Sequence, residues 1–306
     1  MNQLLNKYPL VSIVSINYNG VGVTCEMLES LKQITYPNIE VIIIDNASKE
    51  NPDSIFEIHP WIIFLKSKTN LGFAGGNNLG FKVANGKYFL MLNNDTEVDP
   101  GFLEPLVNRM ENEKSIGAVS PKIIFHHTPG MLQFAGFNPI NPYTGRGTAI
   151  GFGMQDDGRF NNSMPTSRAH GAAMMIRKSV VEEIGLMADL YFLYYEEMDY
   201  CERIKKAGYS IWYEAGSKIF HKESMATGKG STLKTYYLTR NRILYLRRNV
   251  KGLTLFVCLT FLTFVSIPKN TISYLFNGKV DMLKAFYRGI LWNLTHRNIH
   301  QNESLT

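Results

Sequence analysis

Cysteine is scarce. The 306 residues hold only 3, Cys25, Cys201 and Cys258, widely separated and with no C-x-x-C spacing. That argues against a zinc knuckle or a disulfide framework and fits a reducing compartment. No phosphate-cradling G-x-x-x-x-G-K-[ST] occurs. The turn after the first strand, Asn17-Tyr18-Asn19-Gly20, lacks the G-x-G-x-x-G fingerprint, which speaks against a nicotinamide-dependent sugar oxidoreductase. Internal repeats and low-complexity stretches are absent. No secretory leader is expected, because the first apolar run, Leu10 to Ile16, is short and broken by serines. With 45% hydrophobic and 19% charged residues, the chain is neither disordered, coiled coil nor collagen.

The net charge of +6 is unevenly placed. Residues 231–306 carry 11 basic and 2 acidic side chains, and residues 1–230 carry 21 and 24. Basic residues of the tail are interleaved with Phe, Leu and Trp rather than forming a polar stripe, so a nucleic-acid partner is not expected.

The first half alternates β-branched runs with helical patterns. Val11–Ile16, Glu40–Asp45, Trp61–Lys66 and Tyr88–Asn93 read as strands, and Thr24–Lys32, Asp53–Ile58 and Asn77–Ala84 as helices. Such an order predicts an α/β domain with a mostly parallel sheet. Ligands of these sheets bind beyond the carboxyl ends of the strands, which directs attention to four segments. They are 17–20, Asp45-Asn46-Ala47-Ser48, Asn70 to Gly76, and Asn94-Asp95. Further on, Phe102–Asn112, Ser179–Gly185, Tyr195–Ala207 and Thr232–Asn249 read as helices, and Gly117–Phe125, Gly171–Ile176, Ser210–Glu214 and Lys218–His221 as strands. Phe134–Arg168 is a long Gly-, Asn- and Pro-rich excursion, a length that usually serves function. The boundaries expected are 1–230 for a catalytic domain and 231–306 for a basic, aromatic-rich helical region. Within the latter, 252–268 is uncharged and bracketed by Arg247, Arg248, Lys251 and Lys269. A core helix and a membrane span both remain open; a segment on the bilayer interface is the favoured reading.

Carboxylates at strand ends are the chemistry-bearing candidates. Asp45 is either a turn or cap residue or a ligand contact at the sheet edge. Asp95, after Asn93-Asn94, either caps the next helix or offers one carboxylate to a divalent cation whose other ligands come from substrate phosphates. Glu196-Glu197-x-Asp199 suits a helix N-terminus electrostatically, yet the aromatic run Tyr191, Phe192, Tyr194, Tyr195 before it would desolvate a carboxylate and raise its pKa, as a general base requires. His221 is structural or a ligand, followed by Lys222, Ser224 and Thr227 in an anion-friendly loop. His170 packs or touches substrate. The Gly-rich 70–77 turn suits backbone N–H contacts with an anion.

In order, VSIVSINYNG, VIIIDNAS, NLGFAGGNNLG, YFLMLNNDTEVDP, GAAMMIRKSVVEEIG and YFLYYEEMDYCERIKKAGYSIWYEAGSKIFH resemble family 2 glycosyltransferases over about residues 9–250, closest to the rhamnosyltransferase-like branch that builds bacterial surface polysaccharides. The resemblance implies a GT-A fold, a nucleotide-diphosphate sugar donor (possibly rhamnose), Mg²⁺ or Mn²⁺, and inversion at the anomeric carbon. It implies Asp45 at the nucleotide base, Asp95 as metal ligand with Asn93 replacing the first Asp of D-x-D, and His221 as a further metal or diphosphate contact. Glu197 falls at the catalytic base, with Glu196 as fallback. Asn17, Asn19, Asn70, Gly72, Asn77 and Asn94 fall on the nucleotide-sugar side, and Arg240 and Asn241 in a basic element near the donor phosphates. A lipid-linked or growing glycan would be the acceptor, at the cytoplasmic face of the cell membrane. The rival is a non-catalytic nucleotide-sugar- or glycan-binding module on the same fold.

Overall fold

The structure, a computed structural model, describes residues 8–141, 143–144, 146–222, 231–296, 299 and 304–305. Ser224 and Thr227 lie outside the described residues. The chain runs β1 (Val11–Asn17), α1 (Val21–Leu31), β2 (Ile39–Asp45), α2 (Asp53–Ile58), β3 (Ile63–Lys66), α3 (Gly72–Val83), β4 (Tyr88–Leu92), β5 (Thr96–Val98), α4 (Leu103–Asn112), β6 (Ile116–Phe125), β7 (Leu132–Phe134) and β8 (Met164–Pro165). There follow β9 (Ala173–Arg177), α5 (Lys178–Ile184), α6 (Glu196–Lys206), β10 (Ser210–His221) and α7 (Thr232–Asn249). Two further helices are α8 (Gly252–Phe276), which contains a π-helical stretch at Leu262–Ser266, and α9 (Val280–Thr295).

One sheet organises the molecule, in the order β3-β2-β1-β4-β9-β6-β10-β5. Strands β3, β2, β1 and β4 are parallel neighbours, as are β6 and β10; β9 inserts antiparallel between β4 and β6, and β5 runs antiparallel to β10 at the edge. The mostly parallel reading follows from aliphatic runs that feed both faces. Val41 and Ile43 join Met27, Leu28, Phe102 and Leu106 on one side, and Ile42 and Ile44 join Phe81, Phe89, Ile176 and Tyr200 on the other.

Three local readings change. Helix α3 begins at Gly72 rather than Asn77, so the Gly-rich segment is itself helical. Its glycines serve close packing: a Cβ at Gly80 would stand 2.3 Å from Val14 Cγ1. The segments 210–214 and 218–221 form one strand, with a register shift between Glu214 and Lys218. Residues 96–98 form β5 rather than a helix cap.

The excursion after β7 is tied down by a buried lysine. Lys122 Nζ, on β6, donates to both carboxylate oxygens of Asp156 at 2.9 Å and to Asn161 Oδ1 at 2.6 Å. Removing one partner of a buried ion pair leaves the other uncompensated. Lys122→Ala is expected to lower unfolding stability by about 3–5 kcal/mol and to open residues 156–161 to protease. An unchanged urea midpoint would mean that other contacts hold the excursion.

Candidate active site

A cleft of about 690 Å³ opens over the carboxyl ends of β1 and β4. The parallel register sets Asn17 beside Asp45, and Asn17 Nδ2 donates to Asp45 Oδ1 at 2.8 Å. Asp45 also accepts from the Ser48 hydroxyl at 2.6 Å and the Ser48 backbone N–H at 3.1 Å, while Thr24 donates to Asn17 Oδ1. Asn17 and Asp45 are thus buried beneath the cleft wall, and their neighbours Ile16, Tyr18, Asn19 and Asn46 line it. Asn46 donates to Asn70 Oδ1 and accepts from Leu71 N–H, and Asn70 Oδ1 takes the Gly72 N–H. The Leu71, Gly72 and Phe73 amides at the start of α3 are therefore already satisfied within the protein. Asn77 and Asn94 also line the cleft, Asn94 donating to Thr24 Oγ1.

The antiparallel pairing of β5 with β10 puts Thr96 opposite His221, and so brings Asp95 to the imidazole. His221 Nε2 lies 3.0 Å from Asp95 Oδ1, and Nδ1 lies 2.7 Å from Gln133 Oε1. A hydrogen on Nδ1 donated to Gln133 leaves Nε2 facing a carboxylate oxygen, an acceptor pair that a shared cation satisfies. All three side chains line the cleft. Among the described residues no cluster of three His, Cys, Asp or Glu side chains could hold a metal ion. Asp95 and His221 could offer a divalent ion one carboxylate oxygen and one ring nitrogen, which leaves most of its coordination positions to other ligands.

The segment before α6 supplies another part of the lining, through Phe192, Leu193 and Tyr194. Phe192, Tyr194 and Tyr195 all have positive φ, at 63°, 68° and 74°. Left-handed backbone at non-glycine residues costs roughly 1–3 kcal/mol each and persists only where the surroundings enforce it. Here Phe73 N–H donates to Phe192 O at 2.6 Å, and Gly72 (φ 71°) lies so close that a Cβ would sit 2.2 Å from that oxygen. The α6 carboxylates then part ways. Asp199 is locked by Arg248 Nε (2.9 Å), Asn249 Nδ2 (2.7 Å) and the Tyr191 hydroxyl (3.1 Å). Glu196 is buried, with Oε2 lacking a hydrogen-bond partner. Glu197 is partly exposed and packs at Gly171, where a Cβ would sit 3.6 Å from its Cγ.

Burial raises both glutamates above their ordinary pKa range. The Glu197 charge adds to the push on Glu196, whereas Arg168 and backbone N–H groups oppose it at Glu197. His170, next to Gly171, lines the cleft; burial pushes its pKa down to about 3, and Ala172 N–H donates to Nδ1 at 3.1 Å.

Not every expected residue reaches the cleft wall. Glu196, Glu197 and Arg240, like Asn17 and Asp45, do not line it; Glu197 packs against Gly171, the neighbour in sequence of the lining residue His170. Arg240 is buried and donates to Leu190 O (2.7 Å), Tyr191 O (2.5 Å) and Asn241 Oδ1 (2.7 Å). Sequence reasoning missed Gln133, Leu233 and Lys234 in the lining; none sits in a motif, so no local signal marks them, whereas Tyr18 lies in the 17–20 segment but was given no role. A smaller hollow of about 370 Å³ beside Ile140, Glu202 and Tyr245 holds none of the expected residues.

The family model for glycosyl transferase family 2 matches residues 12–185. The low-salt glycan biosynthesis hexosyltransferase Agl10 of Haloferax volcanii is 28% identical over 248 residues, 76% of this chain and 74% of that protein. The N-acetylglucosaminyl-diphospho-decaprenol L-rhamnosyltransferase of Mycobacterium tuberculosis is 22% identical over 247 residues, 72% and 78% of the two chains. GalNAc-T7, solved with UDP, GalNAc and Mn²⁺, superposes with a TM-score of 0.64 at 14% identity over 79% of this chain, which spans about half (49%) of that one. The cleft beyond the strand ends, the sheet order and the matched motifs agree: this chain has the GT-A fold and belongs to glycosyl transferase family 2.

Proposed function

We propose that the chain is an inverting, metal-dependent glycosyltransferase. It would move a sugar (rhamnose is one candidate) from a nucleotide-diphosphate donor to a hydroxyl of a lipid-linked or growing surface glycan. The observation that carries this reading is the Asp95–His221 pair, 3.0 Å apart in the wall of a 690 Å³ cleft whose lining also includes residues 192–194, the segment that leads into the Glu197 helix. Relatives named for hexosyl and rhamnosyl transfer, one of them to a diphospho-decaprenol, support the donor and acceptor classes. A neighbour holding UDP and Mn²⁺ supports the donor and metal.

Asp95 and His221 would hold the ion, with Gln133 fixing the imidazole. When bound, Mg²⁺ or Mn²⁺ neutralises charge on the departing diphosphate. Asn19, Asn46, Asn70, Asn77 and Asn94 supply uncharged polar groups to the donor side, and Asp45 with Asn17 stiffens the wall behind them. Glu197 takes the proton from the acceptor hydroxyl as that oxygen attacks the anomeric carbon from the face opposite the leaving group. One general base and no covalent nucleophile give inversion. Glu196, sealed in the interior with its pKa raised by burial and by the Glu197 charge, is the poorer candidate for proton transfer.

The basic C-terminal region would hold the enzyme on the cytoplasmic face of the membrane. Helix α8, 25 residues long, is apolar enough to cross a bilayer by length and composition, yet Lys269 lies within it. Leu253, Phe256 and Phe264 share one face and are 78%, 67% and 75% exposed. Lys251, Lys279, Lys284 and Arg288 lie close in sequence. Apolar side chains set among basic ones suit an anionic lipid surface, where each basic residue contributes roughly 1 kcal/mol.

Asp95→Ala is expected to abolish the Mn²⁺-dependent part of donor binding in calorimetry, whereas Glu197→Gln keeps binding and loses about 10²–10⁴-fold in turnover. Full turnover by Glu197→Gln would instead favour a non-catalytic binding module or another base. The base works only when deprotonated, and burial raises its pKa. The acid limb of the kcat profile should therefore fall above the ordinary glutamate value of about 4.3; a limb at or below it would remove Glu197 from the role. Replacing Phe256 and Phe264 by Glu should release the protein from vesicles containing anionic lipid; binding unchanged would refute the membrane role of α8.

A further inference from the structure

Arg240 and Asn241 stand out as a buried polar pair with no part in the chemistry above. The resemblance placed them near the donor phosphates; the structure turns them the other way. Asn241 is fully buried, and its amide nitrogen donates to Tyr191 O at 2.9 Å, Leu193 O at 2.7 Å and Tyr194 O at 2.8 Å. An amide has two N–H groups, so one is shared between carbonyls. Arg240 Nε donates to Asn241 Oδ1, which fixes which end of the amide faces the loop. Arg240 Nη2 takes Tyr191 O and adds Leu190 O.

The guanidinium is itself wedged. It lies 4.7 Å from the Tyr237 ring centroid and 4.6 Å from that of Trp292. Tyr237 in turn stacks on Phe192 at 5.1 Å, and Asn293 on α9 donates to Arg240 O. Every carbonyl these two side chains hold belongs to residues 190–194, the stretch that contains two of the three left-handed aromatic residues and leads directly into Glu196 and Glu197.

We propose that Asn241, oriented by Arg240, is the positioning residue of the base loop: it holds segment 190–195 in its left-handed path and thereby aims Glu197 at the acceptor. The proposal rests on Glu197 being the base. It assigns the basic element of α7 to catalytic geometry rather than to donor affinity. A base misplaced by about 1 Å can lose on the order of 10² in rate, whereas a weaker hold on the donor phosphates would raise donor KM.

The test uses the full chain with Mn²⁺ and a panel of nucleotide-linked hexoses and deoxyhexoses, reading nucleoside diphosphate release from the best donor. Asn241→Ala is expected to lower kcat at least tenfold, with donor KM within about twofold of the parent. The relaxed loop admits water to Glu197, so the acid limb of kcat should move to lower pH; Glu196 and Arg168, the charges acting on Glu197, are unchanged. Amide exchange at 191–195 should rise at least tenfold at a temperature where the variant stays folded. Should Asn241→Ala not fold, Arg240→Lys, which keeps the charge but loses the Nε bond to Asn241, is expected to show the same pattern in weaker form. Wild-type kcat and pH limb, or a defect confined to donor KM, would overturn the proposal. If Glu197→Gln turns over normally, the base assignment falls separately, and the clamp stands or falls on the exchange rates at 191–195.

Discussion

The hydrogen bond from Asn93 N–H to Ala172 O, at 2.9 Å, closes the ladder that inserts β9 antiparallel beside β4. Much of the site depends on that junction. On one side the chain continues into Asn94 and Asp95; on the other it comes from His170 and Gly171, against which Glu197 packs. The pairing of Leu92 with Ala173 thus sets the spacing between the Asp95 turn and the Gly171 turn against which Glu197 packs. Asp95 and Gly171 lie on short turns joined directly to paired strands, and Glu197 meets that frame from α6.

What could be read from the residues followed from period and punctuation. EVIIID is buried on both faces, so it reads as a central strand whatever surrounds it, and it is one. The helix at 53–58 and the helix at 232–249 lie where their patterns put them. The Gly-rich 70–77 segment reads as a turn because glycine is a poor helix former. It is helical because α3 must approach Val14 and Ile16 more closely than any side chain allows, a tertiary demand invisible locally.

The site was legible in part. The strand-end residues Asp45, Asp95 and His221 stand out because α/β sheets collect ligands there. Their pairing was not legible: His221 reaches Asp95 only through the short edge strand β5, whose first residue, with Asp95, reads as a cap of the next helix. The division among Glu196, Glu197 and Asp199 was equally hidden, since it depends on Arg248 arriving from a helix nearly 50 residues further on. Arg240 is the clearest lesson. A basic residue in a basic element invites a phosphate, but its guanidinium is held between two aromatic rings and used to collect carbonyls.

Gly72 and Phe192 illustrate a constraint on how this scaffold can diversify. One opens helix α3 and the other belongs to the loop ahead of α6, yet they are interlocked so tightly that no methyl fits between them. Any redesign that reshapes the aromatic loop to accept a bulkier sugar must either retain glycine at 72 or rebuild both walls together. The cleft wall at α3 and the segment ahead of Glu196 and Glu197 can therefore change only in step, and a recombinant that takes residues 72 and 192 from different parents would mismatch them.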